Sequence, residues 1–150
     1  MAASDNPSGP STVAARILVV DHLEPWRLLA GCRLRAHKQL QVVGEAANGL
    51  EAVQKAQELG PDLVLMEISL PNLNGIEVAR WIGKLTPKAK ILFITQHNDA
   101  RLMRAALSTG ARGYVVKADL ETELLPAIEA VLRGEKYVSM RLRECVSANC

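Results

Sequence analysis

The sequence predicts an α/β fold, a doubly wound parallel sheet of five strands and five helices in the order 2-1-3-4-5. Short, nearly continuous apolar runs recur along the chain, as expected for strands that are buried on both faces. Helical segments separate these runs, so successive strands must be parallel with right-handed crossovers. Several runs end on a polar or charged residue, which places those residues at one edge of the sheet. The predicted strands cover residues 16–21, 41–46, 63–67, 90–95 and 113–117.

Capping residues and breakers set the predicted helices between these strands. Pro25 can occupy the first turn of a helix that runs to about residue 37. Asn48 followed three residues later by Glu51 is typical of a capped helix start, and Gly60 ends that helix before a proline. Asn74 has the same capping pattern for the third helix. The remaining helices are predicted over residues 99–109 and 120–133.

Length and composition indicate one globular domain with two short tails. The chain has 150 residues, of which 49% are hydrophobic. Residues 1–14 are small, polar and rich in serine and proline, which predicts a disordered N-terminal tail. Residues 138–150 show no clear period and are interpreted as a C-terminal tail. The domain itself is therefore expected over residues 15–137.

Charge, hydropathy and cysteine content exclude several classes of protein. A net charge of +2 is too small to indicate nucleic-acid binding by this chain. The sequence has no apolar run of about 18 residues, so we predict no membrane span. The three cysteines are odd in number and lack metal-binding spacing, which favours free thiols and a cytoplasmic location.

The carboxyl ends of four predicted strands should meet in one crevice. These ends carry two acids, a hydroxyl and an ammonium, namely Asp21, Glu67, Thr95 and Lys117. In open α/β sheets the ligand crevice lies at this edge, at the point where the strand order reverses. Acids, a hydroxyl and a lysine together suit phosphoryl chemistry, because they can hold a cation, bind phosphoryl oxygens and accept the group.

At these residues the chain resembles the receiver domain of bacterial two-component response regulators. The segments that carry the resemblance include residues 17–21, 61–67, 70–75, 91–95 and 113–117. The resemblance implies a flavodoxin-like (βα)5 fold, with Glu67 at the phospho-acceptor position, Thr95 and Lys117 as phosphoryl contacts and Tyr114 as a switch aromatic. The final segment, residues 134–139, is similar to receivers that carry a helix-turn-helix effector, for which the chain stops too early.

Two positions depart from the family pattern. Where the family has two adjacent acids and a phospho-accepting aspartate, this chain has Asp21-His22 and Glu67. An imidazole is a poor ligand for Mg²⁺, so we expect Mg²⁺ binding to be weak or absent. We hypothesise that Glu67 pairs with Lys117 and partly imitates the phosphorylated state. His22 either supplies a positive group in place of the metal or points to solvent.

The resulting hypothesis is an atypical, phosphorylation-independent receiver that is not an enzyme and acts through protein contacts. A sensor histidine kinase, a downstream effector or a second copy of the chain would bind at the fourth helix, fifth strand and fifth helix. The residues expected on that face are Arg101, Met103, Arg104 and Leu107. One alternative is a competent receiver that accepts a phosphoryl group on Glu67 or Ser69. Another is a flavodoxin-like small-molecule binder or enzyme, although no glycine-rich phosphate loop follows the first strand.

Overall fold

The structure is a computed structural model that describes residues 14–144. Most of the predicted N-terminal tail and the last six residues lie outside this range. Strands and helices alternate through the described chain as the sequence predicts. Their bounds are β1 Ala15–Val20, α1 Glu24–Arg35, β2 Leu40–Ala46, α2 Gly49–Leu59, β3 Leu63–Met66, α3 Gly75–Leu85, β4 Lys90–Thr95, α4 Ala100–Leu107, β5 Gly113–Val116, α5 Leu120–Leu132 and β6 Tyr137–Val138.

One parallel sheet runs through the described residues in the order β2-β1-β3-β4-β5-β6. This confirms the predicted order 2-1-3-4-5 and the position of β2 at an edge. None of the helices in residues 14–144 is long and apolar enough to cross a membrane.

Both faces of the sheet are covered, which explains the continuous apolar runs. Along β1, Leu18 and Val20 point into the layer beneath α2, α3 and α4. Their neighbours Ile17 and Val19 point into the opposite layer, beneath α1 and α5. Since side chains alternate along a strand, a strand buried on both faces must be apolar at every position.

Polar side chains cap the N-terminal ends of α2, α3 and α4, which cover one face of the sheet. The side chain of Asn48 accepts a hydrogen bond from the N–H of Glu51 at 2.9 Å, and Asn74 accepts from Glu77 at 3.0 Å. Asp99 caps α4 in a similar way, because its carboxylate accepts a hydrogen bond from the N–H of Arg101 at 2.8 Å. These contacts satisfy helix N–H groups that have no partner within the helix.

Gly75 allows α3 to start directly against the end of β3. A Cβ atom at this position would lie 2.1 Å from the carbonyl oxygen of Glu67. The Gly75 N–H donates to the carbonyl of Ile68 at 2.7 Å. Because only glycine permits so close an approach, this residue fixes the loop that follows the strand-end glutamate.

The C-terminal segment differs from the predicted tail. Residues 137 and 138 form β6, which pairs in parallel with β5, and a 3₁₀ turn follows at Met140–Leu142. Ser139 and Leu142 are buried. A two-residue strand is too short to produce a hydrophobic period, so the pattern gave no signal for it.

In α4, one residue that the sequence analysis placed on the exposed face is buried. Met103 is fully buried in the core beneath the sheet, and Leu107 packs partly against it, whereas Arg101 and Arg104 are exposed. The prediction that Met103 lies on the exposed face was therefore wrong. At two residues from an arginine on a helix, it turns to the opposite, buried side.

Candidate functional site

The four predicted strand-end residues lie where the crevice was expected. Asp21 follows β1, Glu67 follows β3, Thr95 ends β4 and Lys117 follows β5. All four are buried, although three of them carry charge. Buried charges are costly unless they are paired, so their mutual contacts decide what this site is.

The ammonium group of Lys117 binds both carboxylates at once. Its Nζ atom lies 2.6 Å from Asp21 Oδ2 and 2.7 Å from Glu67 Oε1, and its side chain is only 3% exposed. The ring of Trp26 covers the same cation, with its centroid 4.5 Å from Nζ. Two carboxylates and an aromatic face thus compensate the desolvation of one ammonium.

The remaining carboxylate oxygens are bound by main-chain N–H groups. Glu67 Oε2 accepts hydrogen bonds from the N–H groups of Ile68 and Ser69, at 2.5 and 3.0 Å. Asp21 Oδ1 accepts from the N–H of Leu23 at 3.0 Å. Every carboxylate oxygen of this pair therefore has a hydrogen-bond or ion-pair partner within the protein.

The loop after β4 closes one side of the site through His97. The Thr95 hydroxyl oxygen accepts a weak hydrogen bond from the His97 N–H at 3.4 Å. The buried hydroxyl of Tyr114 donates to the His97 carbonyl oxygen at 2.8 Å. The His97 ring lies 2.7 Å from Ser69 Oγ, on the loop after β3. This residue links the two loops, and no local pattern in the sequence singles it out.

The environment of Tyr114 holds its hydroxyl in the neutral form. Burial raises the pKa of Tyr114 well above its usual value, and the negative charges of Glu67 and Asp99 raise it further. A neutral phenol can donate the hydrogen bond that ties this side chain to the loop after β4. The predicted switch aromatic is thus fixed in an inward position.

His22 does not take part in this cluster. Its side chain is exposed, and among residues 14–144 it forms no hydrogen bond or ion pair with either carboxylate. The cation between Asp21 and Glu67 is Lys117. Of the two arrangements that the sequence left open for His22, the structure has the one that points to solvent.

The donors present do not fit the Mg²⁺ ion that the receiver pattern implies. Magnesium needs oxygen ligands in near-octahedral geometry, and a carboxylate at the position of His22 would be one of them. Here the carboxylates of Asp21 and Glu67 already bind Lys117 and main-chain N–H groups. Within residues 14–144 no group of three or more histidine, cysteine or acidic residues is arranged to hold a metal ion.

Comparison with known proteins connects this geometry to a family. The sequence model described as "Response regulator receiver domain" matches residues 17–129. The chain belongs to the response regulator receiver domain family. This receiver domain is 34% identical over 129 residues to the response regulator GacA of Pseudomonas viridiflava, covering 86% of this chain and 60% of that protein. It is 38% identical over 128 residues to the oxygen regulatory protein NreC of Staphylococcus aureus, covering 85% and 59%. The chain therefore spans about three fifths of the length of these curated relatives.

Solved structures agree with the fold. A LuxR-family two-component response regulator from Aurantimonas sp. superposes with a TM-score of 0.85 at 34% identity, covering 89% of this chain and 96% of that one. The response regulator domain of Thermotoga maritima CheB superposes with a TM-score of 0.74 at 31% identity, covering 80% and 97%.

Family membership decides several of the predictions. Receiver domains are non-enzymatic signalling domains of cytoplasmic response regulators, which confirms the predicted class and location. The alternative of an unrelated flavodoxin-like enzyme is thereby excluded. The roles assigned to individual site residues remain predictions.

Trp26, His97 and Arg27 are the residues of the site that the sequence analysis missed. Nη1 of Arg27 donates to the Asp21 carbonyl oxygen at 2.6 Å, and Nε of the same side chain pairs with Glu45 at 3.0 Å. Trp26 and Arg27 both lie in the first turn of α1, directly after the strand-end acid. Their closeness to Asp21 in the sequence could have indicated that they belong to the site. Whether their side chains point towards it depends on how α1 packs against the sheet.

Proposed function

We propose that this receiver domain works without Mg²⁺-dependent phosphorylation and acts through protein contacts. The observation that carries the proposal is the ammonium of Lys117, held at 2.6 and 2.7 Å by Asp21 and Glu67. A site whose cation and carboxylates are already paired has little capacity left for a metal ion and a phosphoryl group.

Glu67 takes contacts that an incoming phosphoryl group would need. One of its oxygens binds the strand-end ammonium, and the other binds the N–H groups of Ile68 and Ser69. It brings about one negative charge, whereas a phosphoryl group brings closer to two. The pairing therefore imitates a phosphorylated site in part, and it also makes this carboxylate a poorer nucleophile because both of its oxygens are already bound.

The output surface in this proposal is formed by α4, β5 and α5. Arg101 and Arg104 are exposed on α4. Tyr114 on β5 is anchored to the His97 carbonyl, close to the start of that helix. A kinase, an effector or a second copy that binds this surface would thus contact one fixed conformation of the loop after β4, and not a conformation that changes on phosphorylation.

The test is a titration with beryllofluoride and Mg²⁺ followed by backbone-amide NMR. The wild-type protein is compared with the double variant His22→Asp, Glu67→Asp, which restores the acids of the family pattern. We expect no shifts in the wild type and clear shifts around Thr95, Tyr114 and Lys117 in the double variant. Shifts of the wild type at low Mg²⁺ concentration would refute the proposal and direct the search to a cognate kinase.

One contact favours a second candidate, phosphoryl acceptance by Ser69. Its hydroxyl is exposed and lies 2.7 Å from Nε2 of His97, which could accept the hydroxyl proton. Incubation with acetyl phosphate followed by intact-mass and peptide mass spectrometry tests this candidate. A phosphoryl adduct that disappears in Ser69→Ala would favour it over the first proposal.

A further inference from the structure

An open apolar groove lies on the outer surface of α2 and α3. We call it the Trp81 groove; it has a volume of about 390 Å³ and is lined by Val53, Trp81, Lys84 and Leu85. Trp81 is 46% exposed and Leu85 is 52% exposed. The core contacts of α3 are made by its other apolar side chains, so the fold itself does not require these two large residues at the surface.

One lysine, Lys84, lines the Trp81 groove, and two further cations lie near it in the chain: Arg80 one helical turn before it and Lys88 four residues after it. Arg80, Lys84 and Lys88 are exposed, and none of them forms an ion pair or hydrogen bond in residues 14–144. Lys88 lies beside the C-terminal end of α2. Arg80, Lys88 and the exposed acids Glu58 and Glu77 do not line the groove themselves, and Glu77 lies one helical turn before Trp81. The groove therefore combines an apolar floor with one lysine that has no ion-pair partner among residues 14–144; we call Lys84 and the neighbouring Arg80 and Lys88 its rim.

We propose that the Trp81 groove binds an acidic amphipathic helix of a partner protein. Amphipathic helices dock into apolar grooves through side chains spaced three and four residues apart. Tryptophan is among the residues that contribute most to such contacts. Acidic side chains beside the apolar stripe of the partner would face the cations of the rim, which gives orientation and a faster association. This surface is separate from the α4-β5-α5 surface, and the proposal does not depend on the phosphorylation state of the site.

The charges argue against a second copy of the chain as the occupant. In a two-fold symmetric contact each copy presents the same patch to the other. The Lys84 ammonium group of one copy would then lie in the same contact as the Lys84 ammonium group of the other, which is unfavourable. An acidic partner removes this repulsion, so we assign the groove to a partner of opposite charge.

The test uses two synthetic helical peptides with leucine at positions i, i+3, i+4 and i+7. The remaining positions are glutamate in one peptide and lysine in the other. Binding to the ¹⁵N-labelled full chain is followed by NMR, which reports the side chains of its two tryptophans separately. We expect the glutamate peptide to shift the indole N–H signal of Trp81 and the amides of α2 and α3. The lysine peptide should cause no such shifts.

Variants assign the contact to the groove. We expect Trp81→Ala to weaken binding of the glutamate peptide by at least about tenfold. Lys84→Glu should weaken it severalfold and reduce its dependence on salt. The matched control for Trp81→Ala is Leu28→Ala, which removes a large apolar side chain of similar exposure from α1. The control for Lys84→Glu is Lys38→Glu, at an exposed lysine outside the groove. Both control variants should bind the glutamate peptide as the wild type does.

Several results would overturn the proposal. These are no binding of the glutamate peptide, equal binding of both peptides, or shifts that map outside α2 and α3. Tighter binding of a short DNA duplex at the same lysines would assign the rim to nucleic acid instead. Self-association that disappears in Trp81→Ala would assign the groove to a second copy.

Discussion

Replacing Lys117 by methionine should destabilise the folded protein by about 3–5 kcal/mol at pH 7. The ammonium is the shared partner of Asp21 and Glu67, whose oxygens lie 2.6 and 2.7 Å from it. Without the ammonium, two buried carboxylates remain within about 5 Å of each other. With an effective dielectric constant of about 20, their repulsion alone amounts to about 3 kcal/mol. Loss of one partner from a buried ion pair has a cost in the same range.

Urea unfolding followed by far-UV circular dichroism measures this change in the free energy of unfolding. The matched control is Lys136→Met, because Lys136 is exposed and forms no ion pair in the described chain; its effect should stay within about 0.5 kcal/mol. A loss below about 1 kcal/mol for Lys117→Met, with an unchanged slope against urea, would refute the reasoning.

One further variant separates charge repulsion from lost packing. Neutralising both acids in the triple variant Asp21→Asn, Glu67→Gln, Lys117→Met should recover most of the stability, because no unpaired charge is left. A deficit that stays the same in the triple variant would assign the effect to packing.

Three other predictions follow from contacts of the site and its supports. Gly75→Ala should lower the free energy of unfolding by about 1–3 kcal/mol or more, because the new Cβ would lie 2.1 Å from the Glu67 carbonyl oxygen. Gly83→Ala in the same helix has open space around it and should raise the free energy of unfolding by about 0.5–1 kcal/mol. Equal effects of the two substitutions in urea unfolding would contradict this. Trp26→Leu should lower the free energy of unfolding by about 1 kcal/mol, because the cation–π attraction to Lys117 is lost. In a protein that already carries Lys117→Met the same substitution should have no such effect, which a double-mutant cycle measures. Burial and the charge of Glu67 raise the pKa of Tyr114 above that of the unfolded chain. Its contribution to stability is therefore complete below about pH 10 and is lost as the pH rises through the folded-state pKa. Tyr114→Phe should flatten this alkaline decline, and identical pH profiles for both proteins would exclude the effect.

The sheet and its crevice could be predicted because they depend on local patterns. Continuous apolar runs identify strands buried on both faces, and residues such as Asn48 and Asn74 mark helix starts. Parallel strands place their carboxyl ends at one edge, so the convergence of Asp21, Glu67 and Lys117 follows from topology alone. The pairing of Glu67 with Lys117 was also predicted, since a longer acid reaches further into the crevice.

The remaining features depend on contacts between distant parts of the chain. Trp26 and Lys117 are far apart in sequence, and their contact depends on how α1 lies against the sheet. The loop contact between Ser69 and His97 likewise joins two turns without regular structure. Met103 was assigned with Arg101 and Arg104 to the face expected to bind partners, although the helical period turns it into the core. Such contacts are decided by packing and leave no period or motif in the sequence.

The short strand β6 has a consequence for the behaviour of the isolated domain. It covers the outer edge of β5, and Ser139 extends this cover, because its N–H donates to the Tyr114 carbonyl and its hydroxyl accepts from the Val116 N–H. An uncovered edge strand offers free N–H and carbonyl groups to any other extended chain. A chain cut before Tyr137 would therefore expose a template for intermolecular strand pairing. The same cut would also remove Val138 and Leu142 from the core, so aggregation of such a shortened domain would reflect both the open edge and newly exposed core side chains.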